Sequence, residues 1–98
     1  MNINEINYIN IVGRSLGYHL TNGETFIGVS MRSSFSKETK ELLNYSNLFF
    51  IGPAFIINLD NIDTIQNTMV KFKNGDTTYL ARSAMEKLLE KWKSYITE

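Results

Sequence analysis

Residues 48–83 constrain the fold more than any other part of the chain. The stretch alternates short runs of β-branched and aromatic residues with Gly, Pro and Asn breaks, and it ends in a helical pattern. Because proline donates no hydrogen bond to a β-ladder, Gly52-Pro53 marks a turn between two strands. The stretch therefore predicts five short strands, at residues 48–51, 55–59, 62–65, 68–73 and 76–80.

Two Asn-Gly pairs predict β-hairpins. Asn22-Gly23 and Asn74-Gly75 each lie between β-rich runs. Asn-Gly is the favoured central pair of a two-residue type I′ turn, because both central residues need a positive φ. Two type I′ hairpins are therefore expected.

The turn type sets which side chains share a face of each hairpin. Pairing outward from a type I′ turn at residues 22 and 23 places Tyr18 opposite Ile27 and His19 opposite Phe26. The expected apolar faces are Leu16, Tyr18, Leu20, Ile27 and Val29 in the first hairpin, and Val70, Phe72 and Tyr79 in the second.

The remaining segments predict one more strand and two helices. Residues 4–12 are rich in Ile, Tyr and Val and predict a strand. Residues 33–45 change to a helical period, with Phe35 and Leu42 on one side and Ser34 or Ser36 as the cap.

The second predicted helix begins at Ser83. Ser83 and Glu86 have the spacing of a capping box, in which each side chain bonds a free main-chain N–H of the first turn. An apolar stripe, which we interpret as core, follows at helical spacing: Met85, Leu88, Leu89, Trp92 and Ile96.

The composition limits the chemistry that this chain can perform. It has 98 residues, which suits one domain, and no cysteine, which excludes disulfides and thiolate metal sites. His19 is the only histidine, and we interpret it as an ordinary strand residue. Asp60 and Asp63 fit a polar turn better than an acid–base pair. We expect a protein that is not an enzyme, with no catalytic residues, metal, cofactor or small-molecule substrate.

Neither secretion nor membrane insertion is indicated. Residues 1–20 lack the basic and apolar segments of a signal peptide, and no apolar run approaches the ~20 residues of a membrane span. A cytoplasmic protein without a membrane partner is expected. The net charge is zero, from 10 Lys and Arg against 10 Asp and Glu, so nucleic-acid binding requires basic residues to gather on one face.

Two arginines are the side chains best suited to recognition. Arg14 lies in the break before the first hairpin, and Arg82 lies between the second hairpin and the last helix. A guanidinium donates two parallel hydrogen bonds to base edges or phosphates. An exposed loop arginine commonly has no specific role, and both interpretations stay open on the residues alone.

The order of these parts resembles the LytTR DNA-binding domain family over nearly the whole chain. The resemblance implies a mostly β fold (α+β by content), an elongated stack of small antiparallel sheets with two peripheral helices. It is carried by Phe49, by residues 55–62, by Lys73-Asn74-Gly75 and by Arg82-Ser83 ahead of a helix.

The resemblance also implies a function. It implies a bacterial transcription-regulation domain that binds double-stranded DNA sequence-specifically, with loops entering successive major grooves. Such domains usually follow the receiver domain of a response regulator. This chain begins almost directly in the domain, so we expect a single domain at residues 1–98 and no receiver domain. The expected partners are DNA and, in addition, a second copy on paired sites or another regulator protein.

The family's functional positions carry over unevenly. The resemblance implies base reading by Arg14 and Arg82. Weaker candidates for DNA contacts are Ser83, Lys71 and Lys73. The central loop departs from the family pattern: Phe50, Gly52, Pro53 and Ala54 stand where the family usually has arginine, histidine, arginine or asparagine, and serine.

The altered loop leaves two hypotheses. Pro53 remains a DNA-contacting position by its place in the loop, but it has neither a side-chain donor nor a main-chain N–H. In the first hypothesis, Arg14, Arg82, Arg32 and nearby lysines compensate, and the domain still reads DNA. In the alternative, the chain is a protein-interaction module of the same fold that has lost DNA binding and modulates a regulator.

Overall fold

Two antiparallel sheets packed face to face form the core of the structure, a computed structural model that describes residues 2–97. The large sheet has five strands in the order β3-β2-β1-β5-β4, and the small sheet has three in the order β6-β7-β8. The strands are β1 (Ile6–Val12), β2 (Ser15–Leu20), β3 (Thr25–Ser30), β4 (Leu48–Phe50), β5 (Ile56–Asn58), β6 (Ile62–Gln66), β7 (Met69–Phe72) and β8 (Thr77–Tyr79); the helices are α1 (Phe35–Glu38) and α2 (Arg82–Ile96).

The strand order confirms the predicted β-rich fold with two helices. The molecule measures 36 × 24 × 24 Å along its principal axes. Short 3₁₀ turns at Ile3–Glu5, Lys40–Asn44 and Leu59–Asn61 connect the elements. No helix within residues 2–97 is long and apolar enough to cross a membrane.

Both Asn-Gly hairpins exist, but the predicted type I′ turns are wrong. Gly23 N–H donates to Leu20 O, and Leu20 N–H donates to Glu24 O, which makes a three-residue loop. Gly23 has a φ of +89° and Asn22 does not have a positive φ. This is a type I turn followed by one left-handed residue, the usual three-residue hairpin.

The second hairpin repeats this geometry. Gly75 N–H donates to Phe72 O, Phe72 N–H donates to Asp76 O, and Gly75 has a φ of +96°. Asn-Gly serves both loop lengths, because glycine provides the left-handed position in each of them. The dipeptide therefore locates a turn without fixing its register.

Each hairpin loop is one residue longer than predicted, and this shift in register moves the side chains of one strand to the other face of the hairpin. Tyr18 pairs with Phe26 rather than Ile27, and His19 pairs with Thr25 rather than Phe26. The predicted apolar face is correspondingly wrong: Ile27 is 47% exposed and Val29 is 90% exposed. In the second hairpin, Val70 pairs with Thr78, and Tyr79 lies exposed on the outer face instead of sharing the face of Val70 and Phe72.

The helix predicted at residues 33–45 is shorter than expected. Of the two predicted caps, Ser34 is the one that caps α1, because its side chain accepts a hydrogen bond from Lys37 N–H. The α-helix then ends at Thr39, a buried residue whose hydroxyl donates to Phe35 O over 2.7 Å. A side chain that bonds the main chain in this way competes with helix continuation, and a 3₁₀ turn follows.

The capping box predicted at Ser83 is absent from the described helix. Helix α2 begins one residue earlier, at Arg82, with Ala81 as its cap residue and no side-chain cap bond. Leu80 N–H still bonds Thr68 O, so the chain leaves the small sheet and enters the helix within two residues. Met85 and Leu88 are buried as predicted, whereas Ile96 is 57% exposed.

Two apolar clusters fill the two sides of the large sheet. Between the sheets and α2, Ile57, Phe72 and Leu88 are completely buried. On the other side, Ile9 and Ile56 pack with Phe35 of α1. The β1–β5–β4 part of the large sheet is therefore covered on both faces, which holds its end loops in place.

Asparagine side chains join the β1 region to the rest of the fold. Asn58 is completely buried and donates to Ile6 O over 2.9 Å, while its Oδ1 accepts from Asp60 N–H and from Asn47 Nδ2. Further amide bonds run from Asn61 to the N-terminal segment and from Asn74 to the loop of the first hairpin. These amides satisfy main-chain groups that the irregular connections leave unpaired.

Candidate nucleic-acid interface

Two of the proposed DNA-contacting loops lie at the same end of the large sheet. Strand β1 runs antiparallel to β5, with Ile9 opposite Ile56. The turn that follows β1, which contains Arg14, therefore lies at the same end as the turn that precedes β5, which contains Pro53. Both residues are exposed. The strand pairing thus brings together two positions that are far apart in sequence.

Arg32 is held at this end of the sheet as well. Met31 N–H donates to Arg14 O over 2.8 Å, and Ser15 pairs with Ser30. The main-chain N–H of Arg32 donates to a Glu38 carboxylate oxygen over 2.9 Å. We call the exposed group of Arg14, Arg32 and Pro53 the loop end.

Glu38 provides the carboxylate that accepts main-chain hydrogen bonds from Arg32 and Ser33. Main-chain hydrogen bonds from Arg32 and Ser33 lower the pKa of Glu38, since they stabilise its charged form. Its negative charge is therefore retained near neutral pH and is engaged in fixing the segment that carries Arg32.

The altered central loop is short and closed. Ile51 N–H donates to Phe55 O over 2.8 Å, and Gly52 and Pro53 are exposed at the tip. Phe50 packs against the cluster on the α1 side of the large sheet, and Ile51 is buried. The apolar side chains before the tip thus point into the protein rather than toward a partner.

Arg82 and Ser83 lie at one end of the small sheet. Leu80 pairs with Thr68 in the β6–β7 connection, and Arg82 follows two residues later. Arg82 lines a shallow cavity of about 330 Å³ together with Asn67 and Thr68. Arg82 and Ser83 are both exposed. Both side chains are therefore accessible to solvent at this end of the sheet.

The two proposed lysines lie two residues apart, in β7 and directly after it. Lys71 is exposed on the outer face of β7, opposite Thr64 and Thr77. Lys73 follows the far end of β7, where its N–H donates to Asn61 O. At about 3.3 Å per residue, the length of β7 separates Lys73 from the Arg82 end by more than ~13 Å. The structure does not gather Lys73 with Arg82.

His19 lies on the face of the large sheet that meets the second hairpin. Its ring stacks on Tyr8 with centroids 4.0 Å apart. Nε2 donates to Asn10 Oδ1 over 2.8 Å, and Nδ1 lies 3.2 Å from Thr25 Oγ1. Burial lowers the pKa of His19, and the charge of Asp76 opposes this shift more weakly. Residues 2–97 contain no cluster of three or more His, Cys, Asp or Glu side chains that would hold a metal ion.

His19 gives a pH prediction. Because its folded pKa lies below the unfolded value, the unfolded chain binds the proton more strongly, and protonation favours unfolding. We expect the free energy of unfolding to fall as pH decreases from above ~6.5 through the folded pKa. His19→Gln, which cannot titrate, should flatten this dependence in denaturant titrations. Identical pH slopes for the two proteins would exclude His19 as the cause.

The fold agrees with the comparisons with known proteins. The family model for the LytTr DNA-binding domain matches residues 1–93. Among solved structures, the fold is similar to a LytTr DNA-binding domain from Bacillus cereus, with a TM-score of 0.64 and 14% sequence identity over 89% of this chain and 80% of that chain. No curated protein matches the chain in sequence. The resemblance found in the sequence is confirmed, and the chain belongs to the LytTr DNA-binding domain family.

Proposed function

We propose that this domain reads specific DNA sequences through its exposed loops and thereby acts in transcription regulation. The observation that carries the proposal is the loop end, where strand pairing holds Arg14, Arg32 and the Pro53 turn together. Two arginines on adjoining segments place positive charge at one end of a neutral chain, and DNA binding requires such a local basic region.

The proposed roles differ among the loops. Arg14 lies in an exposed turn and Arg82 at the exposed start of α2, and both are suited to base edges in the major groove. Arg32, Lys71 and Ser83 are suited to phosphates. Pro53 offers shape and an apolar surface only, because it has no hydrogen-bond donor. We therefore expect the central loop to contribute less specificity than the two arginines.

The alternative, a protein-interaction module without DNA binding, has less support. It rests on the apolar residues at positions 50–54. Phe50 and Ile51 pack inward, and Ala54 is half-buried, so that Gly52 and Pro53 alone are well exposed in this loop. The loop tip therefore offers little apolar area to a protein partner.

We also propose that two copies act together on paired DNA sites. One domain presents few cations, so a single copy makes few phosphate contacts and binds weakly. If the two copies contact each other, the first bound copy raises the effective concentration of the second at the adjacent site, which increases the overall affinity without a new DNA contact.

The experiment that tests the function is fluorescence anisotropy with a pooled random-sequence duplex at ~50 and ~200 mM salt, followed by selection of bound sequences. Salt-dependent binding with enrichment of one repeated motif supports the proposal. A protein that is folded by circular dichroism and does not bind at ~50 mM salt contradicts it and favours the protein-interaction alternative.

Arg82 gives a sharper prediction on the selected site. We expect Arg82→Ala to lose about 1–3 kcal/mol of binding free energy and to relax preference at one base position, because a bidentate base contact disappears. Lys93→Ala is the matched control, since Lys93 is an exposed cation in the last turn of the same helix. Unchanged affinity and base preference in Arg82→Ala would remove this residue from the interface.

A further inference from the structure

Strand β3 forms an open edge of the large sheet with unusual side chains. It is the outermost strand, next to β2 alone. Its residues Phe26, Ile27 and Val29 are 52%, 47% and 90% exposed. Natural edge strands are usually protected by charged residues or proline. Residues 25–31 contain neither, and the only irregularity is a register shift where β3 passes Ser15 and Gly17.

The regular half of β3 offers free main-chain groups in a defined pattern. Leu20 N–H donates to Glu24 O. Because every second residue of an antiparallel strand bonds the same neighbour, Glu24 and Phe26 bond β2 and Thr25 does not. The N–H and C=O groups of Thr25 and Ile27 therefore point away from β2, toward solvent. An antiparallel strand placed beside β3 would be bonded through these two residues.

An apolar depression lies beside this edge. It has a volume of about 480 Å³ and is lined by Ile3, Ile6, Tyr18, Phe26 and Leu42. The Phe26 ring lies 6.0 Å from the Tyr18 ring, at the rim of the depression. A strand that pairs with β3 would place every second side chain on this side of the sheet, above the depression.

We propose that β3 pairs antiparallel with β3 of a second copy of this chain, with the two-fold axis at Phe26. In this arrangement Thr25 of each copy is opposite Ile27 of the other, which allows four main-chain hydrogen bonds and uses only the regular part of the strand. The two Phe26 side chains meet across the axis, next to the depression.

A second copy is the occupant that the two-fold symmetry of this pairing and the charges favour. The strand is uncharged, so two copies meet without like-charge repulsion, and the chain has no net charge. Taking ~200 Å² for a large apolar side chain, the three exposed fractions amount to at most ~400 Å² per copy. This is about half of the ~800 Å² per partner in a standard stable interface.

The pair is therefore weak in solution and becomes populated when the copies are brought close together. This inference extends the part of the proposed function that places two copies on paired sites. Its test needs no DNA, so the two proposals succeed or fail separately.

Cysteine cross-linking tests the register directly. Cβ atoms of a directly opposite, non-hydrogen-bonded pair lie about 4.5–5.5 Å apart, close to the separation that a disulfide needs. The chain has no cysteine of its own, so an introduced thiol has only its copy to react with. We expect Phe26→Cys to form a covalent dimer at least ~10-fold faster than Ile96→Cys, because the proposed pairing holds the two Phe26 positions close together. Ile96→Cys is the matched control, since Ile96 is 57% exposed and Phe26 is 52% exposed.

Sedimentation of the cysteine-free chain provides an independent measurement. We expect a reversible monomer–dimer equilibrium near ~0.1–1 mM, since the interface is small. Ile27→Lys should weaken it at least ~10-fold, because it places a charge on the pairing edge. A chain that stays monomeric at ~1 mM, equal cross-linking of the two cysteine variants, or a dimer that persists in Ile27→Lys each overturns the proposed pairing.

Discussion

Replacing Phe72 with alanine should lower the free energy of unfolding by about 3–5 kcal/mol, the largest single effect that we expect in this domain. Phe72 is completely buried in the cluster between the two sheets and α2. Its ring lies 5.6 Å from that of Tyr8, and the Tyr8 ring is also 5.3 Å from that of Phe55. The substitution thus removes both apolar burial and the ring that joins the two sheets.

Urea titration at low temperature measures this effect, with circular dichroism to confirm that the variant still folds. A domain of this size has a total stability of only ~5–15 kcal/mol, so the variant will be marginal. Tyr79→Ala is the control, because Tyr79 belongs to the same small sheet but is 67% exposed. We expect it to cost no more than ~1 kcal/mol. Similar losses in both variants would show that burial between the sheets is not what matters.

Replacing Asn58 with alanine should cost about 2–4 kcal/mol, although it removes no apolar contact. The Asn58 amide donates to Ile3 O and Ile6 O and accepts from Asn47 Nδ2 and Asp60 N–H. Alanine at this fully buried position leaves Ile3 O, Asn47 Nδ2 and Asp60 N–H without the partner that Asn58 provides, whereas Ile6 O keeps its bond from Asn61. An unpaired buried polar group costs more than a hydrogen bond contributes.

The same titration tests Asn58, with Asn44→Ala as the control. Asn44 is exposed at the end of a 3₁₀ turn and should change stability by less than ~0.5 kcal/mol. Asn58→Asp keeps the acceptor oxygen but loses the donor, so at neutral pH it should be destabilised as well. A loss below ~1 kcal/mol in Asn58→Ala would mean that water replaces the amide bonds.

The strands, turns and last helix could be predicted from sequence, because each is indicated by residues within the element itself. β-rich runs, the Gly52-Pro53 break and the Asn-Gly pairs locate strands and turns, and the spacing of Met85 and Leu88 locates the buried side of α2. The register of the hairpins could not be predicted, because Asn-Gly fits both two- and three-residue loops. The early start of α2 depends on the bond between Leu80 and Thr68, which a capping pattern does not reveal.

The arrangement of the candidate interface could be predicted only in part. Sequence singled out Arg14, Arg82 and the loop of Pro53 as positions of interest. It did not show that Arg14 and Pro53 share one end of a sheet, because that depends on the pairing of Ile9 with Ile56. The role of Asn58 was missed for the same reason, since its bond to Ile6 O spans 52 residues of sequence.

The asparagine bonds between the sheets have a consequence for the DNA itself. Asn61 bonds Ile6 O, and Asn74 bonds Thr21 O, so the small sheet is fastened to the large one at two places. The span between Arg14 and Arg82 is therefore set by the fold, and under the proposed function a bound duplex would have to match it. Under the proposed function, flexible TA or CA/TG steps between the two contacts would strengthen binding, although no side chain touches them.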